Sequence, residues 1–311
     1  MRGLKDKVII LTGAAGGLGQ AIATRLIQEQ AYPVLVDHNQ DTLLKLTENQ
    51  VFNDLLCLNG NITDPDFITT IMSDVIKKYG KIDGASARKI DSEVAPISTS
   101  LGVLGMPGLT AYFGFLDVCS PKPGDTVVVS ASSGAVGAIV GQIAKIMGCK
   151  VIGIAGSDVK TDYCLYELGF DNVINYKTDN ILTKISEYAP SGVDIYFDNV
   201  GGEISDNVIS NLSIGARIAI CGQISLYNLE ENEKGDRVGS TLLINQASMT
   251  GFLVFQFKSR YQEGLSKLSQ WLLDEKIKYK EDIVSGIENA PDTFIGMMKG
   301  KNFGKLLIKI I

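Results

Sequence analysis

Histidine is almost missing from this chain: His38 is the only one in 311 residues. A zinc centre built on His and Cys is therefore not expected, nor is a catalytic triad that needs a histidine base. The five cysteines (Cys57, Cys119, Cys149, Cys164, Cys221) stand singly, with no C-x-x-C pair. Neither a metal knuckle nor a disulfide framework follows from such spacing. A basic excess is missing too, with 29 Lys+Arg against 35 Asp+Glu and a net charge of −6. The electrostatic footprint of a nucleic-acid binder is absent. No uninterrupted apolar run reaches membrane-spanning length. The opening Met1-Arg2-Gly3-Leu4-Lys5-Asp6-Lys7 is too polar for a secretory signal, so a cytoplasmic location is expected. What the chain does have is 45% hydrophobic residues and a length suited to about two domains, each able to bury a core without staples.

Apolar runs alternate with helical periodicity from the start. Strands are expected at 8–11, 34–36 and 55–58, with helices up to about 30, at 41–49 and at 65–79. A fourth strand begins at 81–84 and then dissolves into the mixed stretch 85–100, which marks a boundary. A second series follows. It has a helix over 101–119, a strand at 126–130, a helix over 135–147 and a strand at 151–155. Beyond these come a helix near 159–168, a strand at 173–175, a helix near 180–188 and a strand at 193–198. After another helix come strands at 217–221 and 249–254, then a long helix over 258–275. The tail reads as a strand near 283–285, a helix near 291–298 and a strand at 305–310. Alternation of this kind predicts an α/β chain of parallel sheets with helices on both faces.

Two glycine-rich turns sit between a strand and a helix, where helix N-terminal N–H groups can hold a pyrophosphate. In Thr12-Gly13-Ala14-Ala15-Gly16-Gly17-Leu18-Gly19, Gly13 permits the tight turn, and Gly17 and Gly19 keep side chains away from a phosphate. Asp37 ends the next strand, where a carboxylate accepts from ribose hydroxyls and repels a 2′-phosphate. That turn points to NAD(H). In Ala131-Ser132-Ser133-Gly134-Ala135-Val136-Gly137, alanine replaces the first glycine, which a slightly wider turn would tolerate. The following strand ends at Gly156 rather than an acid, Lys160 lies just beyond, and Tyr176-Lys177 closes the third strand. A missing acid beside a lysine suits a 2′-phosphate, so this turn points to NADP(H). Asp198-Asn199-Val200-Gly201-Gly202 and the run from Cys221 to Asn228 end later strands, on the side where ligands of open parallel sheets bind. Taken alone, Cys221 reads as a small buried apolar residue, and Tyr227 reads equally as a loop tyrosine or a ligand contact. His38 reads as a solvent-facing loop residue.

Residues 1–84 resemble the N-terminal part of a short-chain dehydrogenase/reductase, through the first turn, Asp37, Asn61-Ile62-Thr63 and Tyr79-Gly80-Lys81-Ile82-Asp83-Gly84. The Asn-Asn-Ala-Gly turn, catalytic serine and Tyr-x-x-x-Lys pair of that family do not follow. No tyrosine in the chain has lysine four residues later, so the proton-transfer pair of that chemistry is missing. Residues from about 88 to 311 closely resemble the zinc-independent medium-chain reductases, specifically the prostaglandin reductase and alkenal/one reductase group. The resemblance rests on the segment from Leu101 to Tyr112, the Ala131–Gly137 turn, Asp198-Asn199-Val200-Gly201-Gly202, the run from Cys221 to Asn228, and Asn302-Phe303-Gly304-Lys305.

The resemblance implies NADPH-dependent reduction of the C=C bond of α,β-unsaturated ketones and aldehydes. It implies that Gly134, Ala135, Val136 and Gly137 hold the pyrophosphate and that Lys160 and Tyr176 bind the 2′-phosphate. Asn199, Cys221 and Asn302 would line the nicotinamide, and Tyr227 would act beside the nicotinamide ribose and substrate carbonyl. The GroES-like domain that opens those enzymes is not matched, apart from its C-terminal contribution at 283–311. The fold expected is two Rossmann-like doubly wound sheets, a truncated one in 1–87 and a complete one in 88–311, joined near 84–88. The truncated sheet and the tail each leave an exposed surface, and these two surfaces are expected either to pack on each other or to drive self-association through the sheet edge. The favoured activity is enone reduction. A non-catalytic dinucleotide-binding fusion without a full substrate pocket is the alternative, and a short-chain NAD-dependent dehydrogenase is a third reading that the missing Tyr-x-x-x-Lys pair opposes.

Overall fold

The structure is a computed structural model describing residues 4–49, 51–52, 54–62, 64–80, 90, 93–227, 229, 235 and 237–309. Outside the described residues lie the expected joint at 84–88, the expected strand at 81–84, Thr63 and Asn228. The chain divides into two compact units, Met1–Lys89 and Ile90–Ile311.

In the first unit, β1 (Val8–Thr12), α1 (Gly17–Gln28), β2 (Tyr32–Asp37), α2 (Gln40–Thr47), β3 (Leu56–Asn59) and α3 (Pro65–Tyr79) alternate. The strands form a parallel sheet in the order β1-β2-β3. Val34, Leu35 and Val36 of β2 are fully buried, as a strand covered on both faces must be. Helix ends follow local chemistry. The Asn39 side chain accepts from the Thr42 N–H to start α2, and Asp64 accepts from the Asp66 N–H to start α3. Gly80, at φ 77°, ends α3 in the left-handed conformation. On its outer side β1 has no strand partner among the described residues, and its Ile10 is 38% exposed.

The second unit contains α4 (Met106–Phe113), β4 (Thr126–Ser130), α5 (Gly137–Ile146), β5 (Lys150–Ala155), α6 (Asp158–Asp162), β6 (Asn172–Asn175), α7 (Ile181–Tyr188) and β7 (Val193–Asp198). They are followed by α8 (Gly202–Ile209), β8 (Leu212–Ile220), α9 (Gly239–Ile244), β9 (Ser248–Gly251), α10 (Tyr261–Leu273), β10 (Glu281–Ser285), α11 (Ala290–Met298) and β11 (Lys305–Lys309). Six strands form a parallel sheet in the order β6-β5-β4-β7-β8-β9. The chain reverses its direction of travel across the sheet between β4 and β7, which opens the crevice where such sheets bind ligands. β10 and β11 make a separate parallel pair.

Helix α5 is buried continuously from Gly137 to Ala144, because it lies under the α4 layer as well as on the sheet. Gly141 makes that possible: a Cβ there would stand 1.9 Å from the Phe170 ring. No helix among the described residues is long and apolar enough to cross a membrane.

Several sequence expectations are corrected. The helix expected over 101–119 is a 3-10 turn at Ile97–Leu101, then α4, then π-helical winding at Gly114–Cys119. The chain doubles back tightly there, and a Cβ on Gly108 would meet the Val103 carbonyl oxygen at 1.8 Å. The helix expected at 159–168 begins as α6 and widens to a π-helix at Tyr163–Glu167. Helix α5 begins at Gly137, two residues late, and α10 begins at Tyr261 after a 3-10 stretch at Val254–Arg260. α9 is a short helix that the pattern did not signal. Ala131 does not widen its turn. It takes φ +49° itself, the left-handed conformation a glycine would adopt freely.

Candidate functional site

At the carboxyl end of β4 the chain turns through residues 131–137 into α5. The Gly134 N–H donates to the Ala131 carbonyl (2.9 Å), and the Ser132 N–H donates to the Ile154 carbonyl (3.0 Å), tying the turn to β5. Gly137 is the position where only hydrogen fits, since a Cβ would lie 2.4 Å from the Ala131 carbonyl oxygen and 3.1 Å from the Ser132 Cα. Among the described residues, no group of the fold accepts from the N–H groups of Val136 and Gly137. Two such donors at the start of a buried helix form a site that a pyrophosphate fits.

The end of β5 carries the second feature. The Tyr176 ring packs directly on Gly156, so that a Cβ there would stand 2.7 Å from its Cε1. An acid side chain at 156 would have to displace that ring. Half-buried Lys160 projects beside it, and its Nζ donates to the Gly300 carbonyl at 2.7 Å. Burial and then the neighbouring Lys177 ammonium hold the Lys160 pKa below its ordinary value, with Asp282 acting in the opposite direction. Two ammonium groups and an exposed phenol, with the nearby Asp158 carboxylate engaged by the Asn175 amide, can accept a phosphate dianion.

The ends of β7 and β8 are organised by one buried carboxylate. Asp198 is fully buried. Its Oδ1 accepts from the Tyr196 hydroxyl (2.8 Å), the Val200 and Gly201 N–H groups (2.9 Å each) and the Ser130 hydroxyl (3.3 Å). Its Oδ2 accepts from Ser205 (3.0 Å) and the Gln223 amide (3.1 Å). Asn199 is fixed on the same frame, with its N–H donating to Ser130 Oγ and its side-chain amide to the Ser130 carbonyl. The Cys221 N–H donates to the Asp198 carbonyl, and burial pushes its thiol up to about 12, so the sulfur stays protonated. Tyr227 follows a 3-10 turn at Ile224–Leu226 and is 64% exposed. The tail reaches the 131–137 turn through a parallel bridge between Gly134 and Gly304, and Asn302 Nδ2 donates to the Gly304 carbonyl. Between these segments lies a cleft of about 20 Å³, lined by Gly134, Ala135, Tyr163, Lys280 and Gly304 among others, with room for about one water.

Comparison with known proteins gives this geometry a family. The zinc-binding dehydrogenase family model matches residues 135–270, and the short chain dehydrogenase model matches residues 7–86. A Bacillus subtilis protein named as an NADP-dependent oxidoreductase, YfmJ, is 52% identical over 237 residues, covering 75% of this chain and 70% of the relative. Prostaglandin reductase 1 of Rattus norvegicus is 47% identical over 232 residues, covering 73% of this chain and 70% of the relative. The chain belongs to the prostaglandin reductase family of medium-chain dehydrogenases/reductases. A solved structure of CurA from Vibrio vulnificus in complex with NADPH is similar over 69% of this chain and 65% of that one, at 47% identity and a TM-score of 0.67. The chain thus spans about two thirds of the length of its relatives.

Within this family member, Gly134, Ala135, Val136, Gly137, Asn199, Cys221 and Asn302 all stand on the β4, β7 and β8 ends or the tail segment bridged to them. Lys160 and Tyr176 form the flank at β5 and β6, and Tyr227 stands out on an exposed loop. Sequence reasoning passed over Asp198, which showed only as an acid at a strand end. The signal available was its run into Asn199-Val200-Gly201-Gly202, a turn with backbone N–H groups to satisfy. Among the described residues no cluster of His, Cys, Asp and Glu could hold a metal ion.

In the first unit, Gly13 takes φ +66°, and Gly19 cannot carry a side chain, because a Cβ would lie 2.2 Å from the Gly13 carbonyl oxygen. Gly17 opens α1 with free space where a side chain would stand. The Asp37 carboxylate is buried. Its Oδ2 accepts from the Ala15 N–H at 2.9 Å and its Oδ1 from the Asn39 N–H at 3.0 Å. One turn donor is thus already bound to the carboxylate expected to face a ribose.

Proposed function

We propose that this protein is an NADP(H)-dependent oxidoreductase that reduces the C=C bond of α,β-unsaturated ketones and aldehydes. The observation that carries the cofactor reading is the Tyr176 ring on Gly156 beside Lys160 and Lys177, a strand end built for a 2′-phosphate rather than a free ribose hydroxyl. NADPH, when bound, supplies the hydride that adds to the β-carbon of the enone. The protein's part is to bind and orient. The Val136 and Gly137 N–H groups would hold the pyrophosphate, with Gly134 and Ala135 shaping the turn around it, and Lys160 and Tyr176 would hold the 2′-phosphate. Asn199, Cys221 and Asn302 border the nicotinamide. The Cys221 thiol stays neutral there, so it adds bulk without charge. The Tyr227 hydroxyl donates to the substrate carbonyl oxygen as enolate charge develops, and water protonates the α-carbon. The five free cysteines suit a reducing compartment, in keeping with a cytoplasmic enzyme.

The test is NADPH oxidation with 3-buten-2-one, and with 2-butanone as the saturated control. Consumption of NADPH in step with the C=C bond, and none with the control, is expected. Tight NADPH binding without enone-dependent oxidation would leave the non-catalytic dinucleotide-binding reading instead. The Asp37 carboxylate keeps an NAD(H) site at the first turn as a separate proposal. It requires Asp37 to exchange its Ala15 N–H for ribose hydroxyls.

A further inference from the structure

Lys160 has two neighbours of different kinds. On one side is the region proposed for the 2′-phosphate, with Lys177 and Tyr176. On the other is the carbonyl of Gly300, 2.7 Å from its Nζ. Gly300, at φ +69°, begins the segment that carries Asn302 to the phosphate turn. The start of that segment is tied to α11 through the Gly300 and Lys301 N–H groups, which donate to the Met297 and Gly296 carbonyls, and the Phe303 ring packs edge-on against Tyr163 with the Lys280 ammonium over its face. The Phe303 N–H donates to Asp282 Oδ2 at a long 3.3 Å, Asn302 bonds within the segment to Gly304, and Gly304 bridges to Gly134. Asp282 also attracts the Lys160 ammonium. The lysine therefore stands between the two ends of the proposed cofactor site, and an ammonium has three donors to share.

We infer that Lys160 is a positioning residue as well as a phosphate ligand: by bonding a 2′-phosphate and the Gly300 carbonyl together, it ties the 299–304 segment, and with it Asn302, to the 2′-phosphate and holds that segment more firmly when the 2′-phosphate is present. This rests on the cofactor reading above and extends it, making discrimination between NADPH and NADH reach the nicotinamide side. In the free protein, the Lys177 ammonium repels Lys160 and weakens its hold on Gly300. A dianion between the two lysines removes that repulsion. A ligand without the 2′-phosphate leaves the repulsion in place, so the segment gains nothing from it.

The test uses adenosine 2′,5′-bisphosphate, which has the 2′-phosphate and no nicotinamide, with adenosine 5′-diphosphate as control. Binding is read by calorimetry and amide hydrogen exchange by mass spectrometry on the full chain. Exchange in 299–304 is expected to slow about tenfold with the bisphosphate, the effect of one secured hydrogen bond, and to stay unchanged with the diphosphate. In Lys160→Met, exchange there is faster from the outset and does not respond to a saturating excess of either ligand. Bisphosphate that binds while 299–304 exchange stays the same overturns the inference and leaves the cofactor reading standing. Bisphosphate that does not bind at all overturns both.

Discussion

Removing the Asp198 carboxylate tests whether it organises the turns at the ends of β7 and β8. In Asp198→Ala, six donors lose their acceptor: the hydroxyls of Tyr196, Ser130 and Ser205, the Gln223 amide, and the N–H groups of Val200 and Gly201. The four side chains can turn toward other acceptors. The two N–H groups cannot, and each buried unsatisfied donor costs about 1–3 kcal/mol. With the cavity added, a loss of about 3–5 kcal/mol is expected, a large part of a typical domain's stability. Asp198→Asn keeps an oxygen for the two N–H groups. Its amide faces Ser205, whose hydroxyl accepts as well as donates, and Gln223, whose amide can flip, so a loss of only about 1–2 kcal/mol is expected. The assay is urea unfolding of the full chain followed by tryptophan fluorescence. Trp271 is the only tryptophan, it is buried on α10, and it reports on the second unit alone. Equal losses in the two variants, or a loss below about 1 kcal/mol in the alanine variant, would refute the reasoning.

Other outcomes follow from the same geometry. Tyr227→Phe should lower enone turnover about 10–100-fold with little change in NADPH affinity, which steady-state kinetics and calorimetry separate. Four thiols, three buried and Cys221 half-buried, have pKa values raised from 9.0, Cys119 and Cys221 to about 12 and Cys149 and Cys164 to about 11. Burial is the leading cause for each, and it favours the neutral form. In the unfolded chain they ionise at ordinary values, so their contribution to stability is complete below about pH 9 and falls as pH rises toward 11–12. Urea midpoints from Trp271 should drop between pH 8 and pH 10, and less steeply in Cys221→Ala. At pH 8 these four thiols should also react with iodoacetamide much more slowly than free cysteine.

The strands of the larger sheet were legible because their apolar runs are short, dense and bounded by turn residues, as in Thr126–Ser130 and Val193–Asp198. The glycine-rich turn at 131–137 was legible as a turn because glycine spacing marks close backbone approach, as at Gly137, where a Cβ would lie 2.4 Å from the Ala131 carbonyl oxygen. Winding was not legible. Nothing in 159–168 distinguishes an α-helix from one that widens at Tyr163, because the choice is made by tertiary packing around buried Cys164. Ala131 misled for a related reason, since the surrounding hydrogen bonds impose a conformation that its side chain disfavours. Asp198 could be seen as an acid but not as a hub, because its donors are spread from Ser130 to Gln223. The Gly300 carbonyl that meets Lys160 left no trace at all, since a backbone acceptor has no residue type.

Calorimetric titration of the full chain with NADPH and, separately, NADH reads the proposed 2′-phosphate site at the end of β5. One NADPH site with clear preference over NADH is expected, and Lys160→Ala should weaken NADPH about 10–100-fold, the worth of a charge-assisted hydrogen bond, while leaving NADH nearly unchanged. A site that prefers NADH, and that is lost in Asp37→Ala but kept in Lys160→Ala, would contradict that proposal and move cofactor binding to the first unit.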